Sequence, residues 1–132
     1  MTPYAAIAEA DALQPNYYET EQKLKWLTRL DQQIKREILD THERNAEDPL
    51  NFFTEGVGYE SYAQEDWSAI PLLVPPPYDE IYIHWLCMQI DLYNQEMEKY
   101  NNAGALFSAA YDAFAKAWNK SHRPKSVKRR FF

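Results

Sequence analysis

"PYDEIYIHWLCMQIDLYNQEMEKYNNAGALFSAAYDAFAKAWNKSH", residues 77–122, is the stretch that decides the fold. Tyr82, Leu86, Ile90, Tyr93, Met97, Tyr100, Gly104, Phe107, Tyr111, Phe114 and Trp118 follow at spacings of 4, 4, 3, 4, 3, 4, 3, 4, 3 and 4. Alternating threes and fours keep side chains on one face of an α-helix, so the stretch reads as helical throughout. Pro77 suits only a helix start. Asp79 and Glu80 follow in a first turn, where the dipole favours acids. Pro124 bars continuation past about residue 121. The weak point is Asn101-Asn102-Ala103-Gly104, since Asn and Gly fall up to about 1 kcal/mol below Ala in helix propensity. Two readings fit: one helix from about 78 to 121, kinked near 102, or two helices meeting there. A hairpin turn usually resets the phase, and this phase never slips, which favours the single helix. At 1.5 Å per residue it would be about 65 Å long.

Upstream, residues 43–77 break all periodicity. They hold Pro49, Gly56, Gly58, Pro71 and Pro75-Pro76-Pro77, with seven acids against one base, Arg44. Phe52, Phe53, Tyr59, Tyr62, Trp67, Ile70, Leu72 and Leu73 make the segment too apolar for a disordered linker, so a long ordered loop is expected. Before it, Leu24, Leu27, Leu30, Ile34 and Ile38 mark an amphipathic helix over about 21–42, with Trp26 widening its apolar face. Thr2-Pro3 is a cap followed by a first-turn proline, predicting a short helix over 3–12 that stops at Pro15-Asn16.

The fold class is therefore all-α: a short helix, an amphipathic helix and a long C-terminal helix, with a long loop over 43–77. The helical body spans 1–122 and a basic tail 123–132. The amphipathic helix would cover about half of a 65 Å partner. Each large apolar side chain left bare forgoes roughly 1.5–3 kcal/mol, and three or four would rival a small domain's stability. A neighbouring copy is expected to cover the rest. Core or subunit contacts are assigned to Tyr93, Met97, Tyr100, Phe107, Tyr111, Phe114 and Trp118.

Composition narrows the class further. Three glycines in 132 residues argue against a turn-rich β-sandwich. One cysteine, Cys87, excludes an intrachain disulfide and fits a reducing compartment. The first residues, MTPYAAIAEADALQPN, lack the basic region of a signal peptide, and no apolar run approaches the roughly 20 residues of a membrane span. Enzyme and metal chemistry have thin candidates. His84 and Cys87 lie three apart and Glu80 and His84 four apart, but no third catalytic group, HExxH or CxxC accompanies them. Asp40 and His42 are equally isolated. No catalysis, metal or cofactor is expected. Stacking of bases on the aromatic stripe is less expected than core packing.

Charge is uneven. Of the 14 Lys/Arg, seven lie in the last 20 residues, which hold no acid, leaving seven bases against 20 acids in the other 112. The tail RPKSVKRRFF allows three readings: a solvated end, a phosphate-binding arm, or a docking segment. Phe131 and Phe132 favour docking, because binding segments use aromatic rings as anchors. Arg123, Lys125, Lys128, Arg129 and Arg130 would steer them onto an acidic surface.

KLKWLTRLDQQIKREILDTHE, and then LLVPPPYDEIYIHWLCMQIDLYNQEMEKYNNAGALFSAAYDAFAKAWNKSH, resemble small head–tail connector (adaptor) proteins of tailed phages and prophages of Gram-positive hosts. The resemblance covers about residues 20–122. Its most specific pieces are LTRLD, LLVPPPYDEIY, IDLYNQEMEKYNNA and FAKAWNKSH. It implies a mostly helical virion protein, assembled in the host cytoplasm, that forms a ring beneath the portal. The ring would extend the DNA channel without reading sequence and seat the next tail (stopper) component. Residues 123–132 would dock on the portal. The alternative is a nucleic-acid-binding accessory protein that uses the basic tail.

Overall fold

The structure, a computed structural model, describes residues 1–41, 59 and 71–122. The tail and most of the acidic loop, with His42, lie outside the described residues. Among those described, the chain is helical and has no strand.

Helix α1 spans Pro3–Leu13, one residue past the expected end. Thr2 Oγ1 accepts the Ala5 N–H at 3.2 Å and Pro3 occupies the first turn, so the expected cap is present. Its inner face, Ala6, Ile7 and Ala10, is mostly small and lies close on the core. Asn16 then shapes the connection: its amide donates to Asp11 Oδ1 and to the Gln14 carbonyl, and its oxygen accepts the Tyr18 N–H. Helix α2, Thr20–Ile34, buries Leu24, Leu27, Leu30 and Ile34 as their spacing requires, and runs on into a π-helical turn, Lys35–Leu39.

The long helix does not exist as one piece. Residues 80–121 form two helices, α3 Glu80–Tyr93 and α4 Met97–Ser121. The break falls at 94–96, not at Asn101-Asn102, which is helical. Helix α3 ends in a Schellman motif: Glu96 N–H bonds the Asp91 carbonyl at 2.9 Å, Gln95 N–H bonds the Leu92 carbonyl at 3.1 Å, and Gln95 has φ 61°. Tyr93 and Met97, the stripe residues on either side, stand four apart, as they would in a continuous helix. The turn therefore passes unnoticed in the phase. The α4 half of the stripe folds back onto residues outside the stripe, with Phe107 against Trp85 at 5.2 Å and Phe114 against Tyr78 at 6.1 Å between ring centroids.

The other contacts set the topology. The Met1 ammonium lies 3.5 Å from Asp79, and Gln14 reaches Asp91 at the far end, so α1 runs parallel to α3. Trp26 stacks on Tyr93 while Tyr82 bonds Asp31, so α2 runs antiparallel. The order is up-down-up-down, with α3 packed by each of the other three. Hence α3 is apolar nearly all round, burying Ile81, Tyr82, Ile83, Leu86, Cys87 and Ile90. The stripe expected to need a neighbouring copy is covered within the chain at Phe114 and Trp118. Folding back at residue 94 supplies the partner surface that a straight helix lacks.

Candidate functional site

Of the thin catalytic candidates, Glu80, His84 and Cys87 lie on α3, while Asp40 follows the π-helical turn. Cys87 is buried, and burial, with the nearby Asp91 and Asp11 charges, pushes its thiol up to about 11. It stays protonated near neutral pH and is a poor nucleophile. Asp40 is held by Lys35 at 2.9 Å. Among the described residues no group of His, Cys, Asp or Glu could hold a metal ion, and no helix is long and apolar enough to cross a membrane.

The densest polar chemistry centres on Asp31, which has no exposed surface. Its Oδ1 accepts from the Tyr82 hydroxyl at 2.6 Å; its Oδ2 accepts from the Tyr59 hydroxyl and, at 3.3 Å, from the Leu73 N–H. Tyr82 in turn accepts the Val74 N–H at 2.7 Å, and Thr28 Oγ1 accepts the Tyr59 N–H at 2.9 Å. Burial pushes the Asp31 carboxyl up to about 6, against the lowering effect of its three donors. Burial and the facing Asp31 charge push the Tyr82 phenol well above its usual range. No face of the carboxylate is open to a ligand. The network is a clasp that fixes Tyr59 and the 72–82 segment on α2. It also joins LTRLD to LLVPPPYDEIY, two of the most specific sequence pieces. Asp31 was not among the expected functional residues. The available signal was its register: Leu27, Asp31, Ile34 and Ile38 step by 4, 3 and 4, placing an acid in the apolar stripe.

A second feature lies at the end of the bundle where α3 turns into α4. The described residues include seven exposed large hydrophobics. Five are at this end, Leu13, Tyr17, Leu92, Tyr93 and Met97, and Leu106 stands nearer the middle of α4. Tyr93 (53% exposed) and Met97 (52%) belong to the expected stripe, and the fold leaves about half of each in solvent, Tyr93 with its ring stacked on Trp26. Tyr100, Phe107 and Tyr111 are half-buried, and Tyr111 donates to Glu37 at 2.6 Å. Between α1 and α4, over α3, runs a groove of about 410 Å³. Leu13 and Gln14 form one wall; Lys99, Asn102, Ala103 and Leu106 the other; His84 and Cys87 the floor. Leu13 and Leu106, 64% and 55% exposed, stand at its rim. Glu9 lies one turn before Leu13 and Glu98 one turn before Asn102, so an exposed carboxylate stands just outside each wall. Lys99 is bridged to Glu96 at 3.2 Å. Below the wall, Asp91 is buried: Gln14 donates to its Oδ2, while its Oδ1 finds no donor among the described residues, and burial raises its carboxyl.

Thr41, Pro71 and His122, where the undescribed segments begin or end, are all at the other end. Leu72 bonds the Met1 carbonyl there, Glu37 meets Tyr111, and Trp118 stacks on His122 at 3.7 Å. Arg123, Lys125, Lys128, Arg129, Arg130, Phe131 and Phe132 lie beyond, outside the described residues. The chain matches no family model, no curated protein and no solved structure.

Proposed function

We propose that the chain is a structural adaptor of the head–tail connector kind, acting by assembly and not by catalysis. The observation that carries this is the two-ended body. Exposed apolar side chains gather at the turn end, while the basic tail leaves from the other. Such a body is suited to being held between two partners. The resemblance over residues 20–122 supplies their identity: the portal on the tail side, the next tail component on the other, and further copies around a ring. Phe131 and Phe132 would anchor on the portal, steered by Arg123, Lys125, Lys128, Arg129 and Arg130. The acid excess over residues 1–112 suits a channel wall past which DNA slides, since like charge does not trap it. Assembly would take place in the host cytoplasm and the product would reside in the virion.

The test is native mass of the 132-residue chain mixed with portal rings. A complex containing several copies per ring is expected, and it should be lost on Phe131→Ala/Phe132→Ala with every charge retained. Failure to associate with portals at any ratio refutes the adaptor. Retention on DNA at low salt, abolished by removing the five tail bases but not the rings, would instead favour the nucleic-acid-binding reading.

A further inference from the structure

The groove over α3 has an occupant of matching chemistry in the chain itself. Its rim is apolar at Leu13 and Leu106, its one lining cation, Lys99, is bridged to Glu96, and the exposed Glu9 and Glu98 stand one helical turn outside the lining. A segment that fits would bring large apolar side chains flanked by cations. Residues 123–132 hold two Phe, five Lys/Arg and no acid. No other ten-residue stretch of the chain combines those features.

Reach favours the tail of another copy over the chain's own. His122 lies 16 residues beyond Leu106 on α4, about 24 Å at 1.5 Å per residue. Phe131 is nine residues beyond His122, at most about 32 Å of fully extended chain. A copy's own tail would have to reverse direction at once and run back close to extended, which restricts most of its residues at a cost in chain entropy. The tail of another copy has no such limit.

We propose that the tail of one copy seats in the turn-end groove of a second copy, Phe131 and Phe132 between Leu13 and Leu106, and the tail bases against Glu9 and Glu98. The contact joins unlike surfaces, so it is head-to-tail: each copy keeps a free tail at one end and a free groove at the other. It does not depend on the adaptor reading. If that reading holds as well, portal and groove compete for the same pair of rings.

The test needs no portal. Sedimentation of the 132-residue chain is expected to show mass rising with concentration. Association should be stronger at about 0.05 M salt than at about 0.5 M, where screening is within a few ångströms. Leu106→Glu spoils the groove on an exposed side chain, and Phe131→Ala/Phe132→Ala spoils the tail; each should weaken association at least about tenfold. Unchanged helical circular dichroism would show that both variants fold. The deciding step is to mix them. One retains a working tail and the other a working groove, so together they should form a one-to-one pair and nothing larger. A chain that stays monomeric at high concentration overturns the proposal. So does association indifferent to either substitution, a mixture that fails to pair, or a tail found crosslinked to Leu106 of its own copy.

Discussion

Replacing Asp31 with asparagine should change how stability responds to pH, in a direction opposite to that of an ordinary paired carboxylate. Burial raises the Asp31 carboxyl from 3.8 to about 6 in the folded protein, despite three donors. The folded state therefore holds this proton more tightly than the unfolded chain does. Below the unfolded value both states are protonated and the group is neutral to stability. Between about pH 4 and about pH 6 the unfolded chain ionises first, and folding loses free energy. Above the folded value the penalty is complete: about two pH units at roughly 1.4 kcal/mol each, or about 3 kcal/mol. The amide of the Asp31→Asn variant does not ionise, so the other groups' pH dependence remains but this one vanishes. Urea unfolding followed by tryptophan fluorescence, at steps from about pH 4 to about pH 7.5, gives both curves. Relative to the Asp31→Asn variant, the native protein should lose about 3 kcal/mol across that range. Curves that stay parallel would refute the raised carboxyl. A native protein that gains on the variant as pH rises would show that the three donors outweigh burial. Asp31→Ala should be worse at every pH. It leaves two tyrosine hydroxyls and the Leu73 N–H buried without their acceptor, at about 1–3 kcal/mol each.

Other outcomes follow from single positions. Gln95 holds φ 61° at the Schellman position with an exposed side chain, so Gln95→Gly should raise stability by about 1 kcal/mol, read from the urea midpoint. A methyl group at Gly104 would meet Met88 Sδ at 3.6 Å, an ordinary contact, and Gly104→Ala should stabilise α4 by about 0.5–1 kcal/mol in the same assay. Cys87, buried and with its thiol raised to about 11, should react with iodoacetamide at pH 7.5 only as fast as the protein opens, and urea should accelerate labelling sharply.

Legibility in the sequence differs from element to element. Helix α1 is readable because a cap and a first-turn proline are local chemistry at Thr2 and Pro3. Helix α2 is readable because one face alone is buried, so burial and periodicity agree. The α3–α4 turn is not, for two physical reasons. Its left-handed residue is Gln95 rather than the usual glycine, and Tyr93 to Met97 spans one helical turn whether or not the helix continues. With the turn unseen, the stripe points to a neighbouring copy, when Trp85 and Tyr78 of the same chain meet its α4 half. Helix α3 hides its central place because packing on three sides erases one-sided periodicity. Asp31 is legible in register but not in partners, since Tyr59 and Tyr82 stand 28 and 51 residues away. The groove is not legible at all, because it exists only where α1 and α4 flank α3.

The unbroken phase across residues 94–96 has a consequence of its own. A straight helix through the turn would present the same residues in the same order on the same face. If two copies opened there and exchanged α4, each α4 would find on the foreign α3 the contacts it makes at home, Trp85 with Phe107 and Tyr78 with Phe114. The packing energy of closed and exchanged forms is then nearly equal. What separates them is the local strain at Gln95, which opening would release, against the millimolar effective concentration that a short connection confers on the closed form. Three residues of turn, and none of the core, keep α4 with its own chain.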